Sequence, residues 1–176
     1  MPLRQLTAAD LAAYRELMME AYTLSADAFT TTAEERAREP ESWWLRRIAD
    51  PGGLSAAVGA WDAGRLAGSV ALEYSAKPRT RHDVLVLGMY VREAARGRGL
   101  GRALLDAAIR HAAQRPHTRL LTLTVTAGNE AAIRLYEGAG FRAWGTQPMA
   151  IATASGYKDK VHMWRPITRP GDADPG

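Results

Sequence analysis

A short run of glycine and arginine, between a strand pattern and a helix pattern, constrains the fold more than any other stretch of the chain. Residues 92–102 hold four arginines and three glycines. The preceding run "DVLVLGMYV" is typical of a strand, and the apolar residues after the loop recur with helical spacing from about Gly99 to Gln114. A strand that leads through such a loop into a helix is typical of a mixed sheet with helices on its faces.

The composition of this loop predicts an anion-binding site. The first N–H groups of a helix have no partner inside it, and the helix dipole adds partial positive charge at the same end. Glycine has no Cβ to keep a phosphate off the backbone, and an arginine can bind a phosphate through two hydrogen bonds. The run comprises Arg96, Gly97, Arg98, Gly99, Leu100, Gly101 and Arg102. We expect it to hold a pyrophosphate; the alternative is a helix entry with a solvated arginine face.

The spacing of the glycines excludes two other phosphate loops. No Gly-Lys-Ser/Thr follows, as a Walker loop requires, and the Gly-x-Gly-x-x-Gly spacing of a dinucleotide fingerprint is absent. Seven arginines but only two acids lie in residues 92–119. The net charge of +4 and the pI of about 9.7 therefore indicate a local anion site, and nucleic-acid binding ranks last among the hypotheses.

The residue types that are absent narrow the chemistry further. The sequence has no cysteine, which excludes disulfides, thiolate metal sites and cysteine nucleophiles. It has no run of about eighteen apolar residues, and its N-terminus lacks the basic-then-apolar pattern of a signal peptide. We therefore expect a cytoplasmic protein with no membrane partner.

The rest of the chain alternates between helix and strand patterns. A first strand, "PLRQLT", precedes helical spacing over residues 8–24; Thr32-x-x-Glu35 is a capping box that starts a second helix, and the proline in "REPES" restarts it. Three strands come next, with the hairpin signal "DAG" between the first two, and Gly88 in the third indicates a bulge or a close backbone approach. Asn129 caps a last helix, and "FRAWG" and "DKVHMWRPI" are predicted as short final strands.

Two motifs together resemble the acetyl-CoA signature of the GNAT superfamily of N-acetyltransferases. The first, preceded by "GMYV", is Arg96-x-x-Gly99-x-Gly101. The second is "NEAAIRLYEGAGF", with Asn129, Tyr136 and the Gly140-Phe141 pair at the family's spacing. The resemblance covers residues 58–164 well and the first two helices more loosely.

The resemblance implies a fold of the α/β (α+β) class. It implies a mixed central sheet of about seven strands, splayed between the fourth and the fifth, and flanked by about four helices. The acetyltransferase-like domain would occupy residues 1–166, with a disordered tail over residues 167–176.

The same resemblance assigns cofactor roles. It implies acetyl-CoA as the co-substrate and no metal ion. Residues 97–102 match the pyrophosphate loop, and Met89, Tyr90 and Val91 match the strand whose backbone meets pantetheine. Asn129 matches a residue that hydrogen-bonds the cofactor arm, and it can cap its helix at the same time because a cap uses only the side-chain oxygen.

Tyr136 matches the family's usual general acid. Direct attack of an amine on a thioester produces a thiolate that must leave, and a phenol near the sulfur can protonate it. Asn129 and Tyr136 are seven residues apart, about two helical turns, so they lie on one face of the helix. The alternative interpretation of Tyr136 is core packing.

The general base has several candidates. The two positions at which some family members carry a Glu are Leu85 and Thr124 here. Glu73, one strand earlier among apolar residues, is the remaining candidate, because burial would raise its pKa toward neutrality. The alternative is an outward-facing Glu73 that pairs with Lys77 or Arg81.

The acceptor pocket is the part that the sequence constrains least. The candidates for contact with the acceptor are Phe29, Trp44, Glu73, His82 and Tyr157. The two large aromatic residues have helical spacing that also fits core packing. His82 would either relay a proton or be solvated, and Tyr157 would either close the pocket or lie in a turn.

The resulting hypothesis is an acetyl-CoA-dependent N-acetyltransferase that acts on a primary amine of a small molecule or peptide, as a monomer or homodimer. The competing hypothesis is a catalytically silent module that binds acyl-CoA as a sensor. A phenol at Tyr136 favours the enzyme, because cofactor binding alone needs no proton donor at the sulfur.

Overall fold

The computed structural model describes residues 1–168 and shows a seven-stranded sheet with helices on both faces. The strands are β1 (Leu3–Gln5), β2 (Ser55–Asp62), β3 (Arg65–Tyr74), β4 (Asp83–Val91), β5 (Leu120–Thr126), β6 (Arg142–Thr153) and β7 (Gly156–Pro166). The α-helices within these residues are α1 (Leu11–Leu24), α2 (Ala33–Ala37), α3 (Glu41–Ala49), α4 (Leu100–Ala113) and α5 (Glu130–Gly138). Because α2 has just five residues, the prediction of about four main helices around the sheet is confirmed.

The order of the strands is β1-β2-β3-β4-β5-β7-β6, and β4 and β5 are the parallel pair among antiparallel neighbours. Residues 83–85 of β4 pair with residues 120–122 of β5, and the ladder ends there. Beyond that point the two strands diverge, which leaves a gap in the middle of the sheet. The predicted splay between the fourth and fifth strands is therefore confirmed.

A β-bulge in β4 accounts for the divergence. Gly88 and Met89 together oppose the single residue Val70 of β3. Gly88 adopts a φ of 60°, a conformation that glycine takes without steric cost. A bulge bends its own strand and increases the local twist, so the second half of β4 turns away from β5. The bulge predicted from Gly88 is confirmed.

Two apolar cores cover the two faces of the sheet. On one face, α4 packs over β2, β3 and β4, and its Leu104 and Leu105 share a core with Leu121 of β5; all three are fully buried. On the other face, Leu17 of α1 and Trp44 of α3 lie in the second core. The gap between β4 and β5 connects these two faces.

The last two strands form a longer hairpin than predicted. β6 has twelve residues and β7 has eleven, where two short strands were expected. Pro148 obscured the continuity, since a proline inside a strand pattern normally marks a break. Here it lies on an edge strand where the register shifts between Gln147 and Ile151. Met149 takes a φ of 49°, and its N–H donates to Asp159 Oδ1 at 2.8 Å, which holds the irregular segment in the hairpin.

The helix starts follow their sequence signals. Thr32 Oγ1 accepts the N–H of Glu35 at 3.2 Å, and the Glu35 carboxylate accepts the N–H of Thr32 at 2.8 Å. Asn129 Oδ1 likewise accepts the N–H of Ala132 at 3.2 Å. Both predicted caps are therefore confirmed. Pro40 is the N-cap of α3, one position before the first turn in which it was expected.

The expected tail falls mostly outside the described residues, which end at 168. Ile167 is buried, and its N–H donates to the carbonyl of Arg119 at 2.8 Å, so packed structure reaches just past β7. Within residues 1–168, no helix has the combination of length and apolar character that a membrane span requires.

Candidate active site

The gap between β4 and β5 opens into a cavity of about 320 Å³. Residues 85–89 of β4 and residues 124–126 of β5 form its edges. Tyr136 of α5 and its N-cap Asn129 lie on one side of it, and residues of α1, α2 and α3 lie on the other. The cavity therefore brings the second sequence motif next to the bulge, with a separate wall facing it.

The glycine-rich loop turns the chain from β4 into α4. Gly97 and Gly99 adopt φ values of 72° and 74°, and Gly99 is the N-cap of α4. A Cβ at either position would meet no atom of the described residues within 4 Å, so the space above the loop is open to a ligand. The N–H groups at the start of α4 have no partner inside the helix. The loop thus has the open, donor-rich surface that a pyrophosphate needs.

The three arginines of the loop differ in how far the protein already uses them. Arg102 donates to Asp106 at 2.9 Å and to the carbonyl of Gly138 at 2.7 Å, so it ties α4 to the end of α5. Arg98 pairs with Asp62 at 2.9 Å and is half exposed. Arg96 donates one hydrogen bond, from Nε to a β4 carbonyl at 2.9 Å. Arg96 and Arg98 remain the better placed of the three to reach a phosphate.

Tyr136 lies buried at the cavity, 8% exposed, with its ring edge against Phe141. Its hydroxyl forms no hydrogen bond with the described residues. Burial raises the pKa of Tyr136 to about 12. The phenol is therefore protonated at neutral pH and free to donate, as a general acid must be.

Asn129 and β4 supply polar groups on the same side. The cap uses the side-chain oxygen of Asn129, so its amide N–H groups stay available to a ligand. Met89 lines the cavity directly. Tyr90 does not line the cavity: its side chain lies in the core on the α1 face, where its hydroxyl donates to Glu20 at 3.2 Å, and it pairs with Ser69 of β3. The carbonyl of Val91 already accepts the hydrogen bond from Arg96, and Leu100 is buried in the core.

Glu73 and His82 do not line the cavity. Glu73 is half exposed and pairs with Arg47 at 3.0 Å. The outward-facing alternative therefore describes it better than a buried base, although its partner comes from α3 and not from Lys77 or Arg81. The register of β3 and β4, in which Glu73 pairs with Leu85, decides which face of the sheet the Glu73 side chain takes. His82 is exposed before β4, and its carbonyl receives two N–H groups from the start of β5.

Among the aromatic candidates, Phe29 lines the cavity and packs its ring edge on Tyr22 at 4.7 Å between centroids. Trp44 is 1% exposed and packs against Tyr14 in the core, as the alternative interpretation proposed. Tyr157 is 65% exposed at the start of β7 and lies away from the cavity. The structure thus places one of these three where an acceptor could touch it.

Several residues that line the cavity were not predicted from the sequence. Tyr14 and Tyr22 of α1 were indistinguishable from ordinary core positions on an amphipathic helix. Arg36, Arg47 and Lys160 also line the cavity, from three separate elements. Each alone resembled a solvated charge, and no local spacing links them. Burial lowers the pKa of Lys160.

The comparisons with known proteins agree with this geometry. The sequence model of the acetyltransferase (GNAT) family matches residues 12–141. A mycothiol acetyltransferase from Geodermatophilus obscurus is 40% identical over 115 residues, which cover 62% of this chain and 34% of that protein. The chain spans about a third or less of the length of the curated relatives it matches.

Solved structures show the same fold. A phosphinothricin acetyltransferase from Sinorhizobium meliloti, solved in complex with acetyl-CoA, superposes with a TM-score of 0.82 at 23% identity, covering 99% of this chain and 92% of that one. A ribosomal-protein-alanine N-acetyltransferase from Brucella melitensis superposes with a TM-score of 0.78 at 26% identity, covering 95% and 100%. Since the family model covers well over half of the sequence, the chain belongs to the acetyltransferase (GNAT) family.

Proposed function

We propose that the chain transfers the acetyl group of acetyl-CoA directly to a primary amine of a small molecule or peptide in the cytoplasm. The observation that carries this proposal is Tyr136, a buried and protonated phenol without a hydrogen-bond partner among the described residues, at the cavity opened by the β4 bulge. A module that merely bound acyl-CoA would have no use for a proton donor at that place. The likeness to mycothiol acetyltransferases supports acetyl transfer as the reaction.

The backbone supplies the cofactor site in this proposal. Residues 97–102 would hold the pyrophosphate with the N–H groups at the start of α4. Beyond residue 85, β4 has no ladder to β5, so its backbone groups on that side can pair with an extended pantetheine arm. The arm would then run down the gap and deliver the thioester beside Tyr136. Asn129 would hold the arm with its side-chain N–H groups.

The chemistry then needs three changes of bonding. The amine nitrogen attacks the thioester carbon and forms the C–N bond of a tetrahedral intermediate. The intermediate collapses, the C–S bond breaks, and Tyr136 gives its proton to the departing sulfur. The nitrogen releases its extra protons to water in the cavity, and the phenolate regains one from solvent. Water is the proton acceptor in this scheme, since none of the described residues that line the cavity is an Asp or Glu.

A Tyr136→Phe variant tests the proposal. We expect kcat for release of CoA to fall by about a hundredfold or more, because general acid catalysis typically contributes that much. The affinity for acetyl-CoA, measured by calorimetry, should change by less than about twofold, since the ring stays in place. Tyr157→Phe is the matched control, because that phenol is exposed and away from the cavity. An unchanged kcat in Tyr136→Phe, or no binding of acetyl-CoA by the native protein, would refute the proposal.

A further inference from the structure

The acceptor side of the cavity is lined by positive charge, and the carboxylates that pair with its two arginines, Glu39 and Glu73, lie outside the lining. Arg36 of α2, Arg47 of α3 and Lys160 of β7 line it, and none of the other lining residues is an Asp or Glu. None of the three belongs to the acetyl-CoA motifs. They come from elements far apart in the sequence, so the fold alone assembles them.

Lys160 is the most telling of the three. Its residue is 8% exposed, and its ammonium forms no hydrogen bond or ion pair with the described residues. Lys158, two residues earlier on the same face of β7, pairs with Asp27 at 2.5 Å. A charged group with so little contact to solvent and no partner is costly, whereas an anion that entered the cavity would compensate its charge. Lys160 is thus better explained by a ligand than by the stability of the fold.

Arg36 and Arg47 are held in place by one indole ring. Their guanidinium carbons lie 4.2 and 4.8 Å from the centroid of Trp43. Arg36 pairs with Glu39 at 3.5 Å and donates to Thr31 Oγ1 at 3.0 Å, while its buried Nε has no hydrogen-bond partner among residues 1–168. Arg47 pairs with Glu73 at 3.0 Å. Stacking orders both guanidinium groups, and the N–H groups that these contacts leave over can bind a planar oxyanion.

We propose that the acceptor is an amine that also carries a carboxylate, as an α-amino acid does, and that Lys160, Arg36 and Arg47 bind this acidic group. The inference rests on the proposed acetyl transfer and names its substrate class. Amines with several positive charges would be repelled by the same residues. Nearby cations also lower the pKa of an ammonium, so this wall favours the neutral amine that attacks the thioester.

The test compares amines that differ in the acidic group alone. Standard L-amino acids and their α-amides are offered at equal concentration with acetyl-CoA, and release of CoA is followed. We expect kcat/KM for the preferred amino acid to exceed that for its amide by about tenfold or more, the usual worth of a charged hydrogen bond.

Two variants of β7 assign the effect to Lys160. Lys160→Met should raise KM for the amino acid by about tenfold, with kcat, acetyl-CoA affinity and the rate with the amide nearly unchanged. Lys160→Arg should restore most of the loss. Lys158→Met is the matched control on the same face of the strand, because Lys158 does not line the cavity. Since Lys160→Met removes an unpaired buried charge, it should fold at least as well as the native chain.

The possible outcomes distinguish a failure of the acidic-acceptor inference from a failure of the proposed acetyl transfer. Equal rates with acids and amides, or turnover of polyamines alone, would overturn the acidic acceptor and leave the acetyltransferase intact. Tight binding of acetyl-CoA with no turnover of any carboxylate-bearing amine would overturn it as well. Failure to bind acetyl-CoA would refute the proposed function, and this inference with it.

Discussion

At the scale of single residues, burial decides the chemistry of the site. Tyr136 and Lys160 are both buried at the cavity, and in both cases desolvation favours the neutral form. For the phenol this means a retained proton, and for the lysine it means a charge that an anion would stabilise. The sequence identified Tyr136 by its motif. It gave no comparable signal for Lys160, because the burial of a strand residue depends on which face the register exposes.

The raised pKa of Tyr136 has a measurable consequence. Its folded-state pKa of about 12 lies above the ordinary value of 10.0, so the folded protein holds this proton more tightly than the unfolded chain. The associated stability is fully present below pH 10 and is lost as the pH rises from 10 to 12. The native protein and Tyr136→Phe are titrated with base, and the tyrosinate absorbance is followed in both. We expect the difference between the two curves to have its midpoint near pH 12. Far-UV circular dichroism at each pH shows whether the protein is still folded. A midpoint near pH 10 for this difference would contradict the burial of the Tyr136 hydroxyl.

At the scale of elements, the loop before α4 and the contacts of α1 hold the site in shape. Arg92 follows β4 and is buried, and its side chain bonds Glu16 and Glu20 of α1 and the carbonyl of Leu66. This network fixes α1, one wall of the acceptor side, to the strands beside the loop. Arg65 also binds Glu16, at 2.6 Å, but from an exposed position.

The two arginines should therefore differ in what they contribute to stability. Arg92→Ala leaves the partly buried Glu20 without its ion-pair partner and the Leu66 carbonyl without its hydrogen bond from Arg92, and should lower the free energy of unfolding by about 2–3 kcal/mol. Arg65→Ala should cost less than about 1 kcal/mol, since an exposed ion pair is worth little. Urea denaturation of both variants measures the two changes in the free energy of unfolding. Equal losses would mean that burial of the network does not matter.

The loop itself gives a second expectation at this scale. Gly99→Ala places a Cβ in a left-handed conformation and over the open surface of the loop, so it should weaken acetyl-CoA binding by about tenfold and destabilise the fold by about 1–2 kcal/mol. Gly145→Ala is the control, because Gly145 also faces open space but has an ordinary φ. Calorimetry measures the affinity. Unchanged affinity in Gly99→Ala would place the phosphates elsewhere.

At the scale of the whole molecule, one splayed sheet separates two faces that each have their own core. The cofactor motifs lie on the α4–α5 face of the sheet, and the cationic residues Arg36, Arg47 and Lys160 lie on the α1–α3 face. The two substrates would therefore meet at the gap between β4 and β5. Local signals predicted the succession of strands and helices along the chain, the caps and the bulge, because each depends on residues close in the sequence. The outward position of Glu73 and the length of the last hairpin depend on cross-strand neighbours, and local patterns do not specify these.

A ligand that bridges the gap should stabilise the entire fold. Acetyl-CoA at a hundred times its dissociation constant contributes about 2.7 kcal/mol by mass action, which for a chain of this size raises Tm by about 5–10 °C. Differential scanning fluorimetry with acetyl-CoA, and with adenosine as the control that lacks pyrophosphate, measures this. No shift with acetyl-CoA would argue against a cofactor site in the gap.

The most direct measurement is a crystal structure of the chain with bound CoA. We expect the pyrophosphate on the N–H groups of residues 97–102, pantetheine along the free edge of β4, and the sulfur within about 3.5 Å of the Tyr136 hydroxyl. An empty glycine-rich loop, or a sulfur atom on the far side of the sheet from Tyr136, would contradict the proposed site.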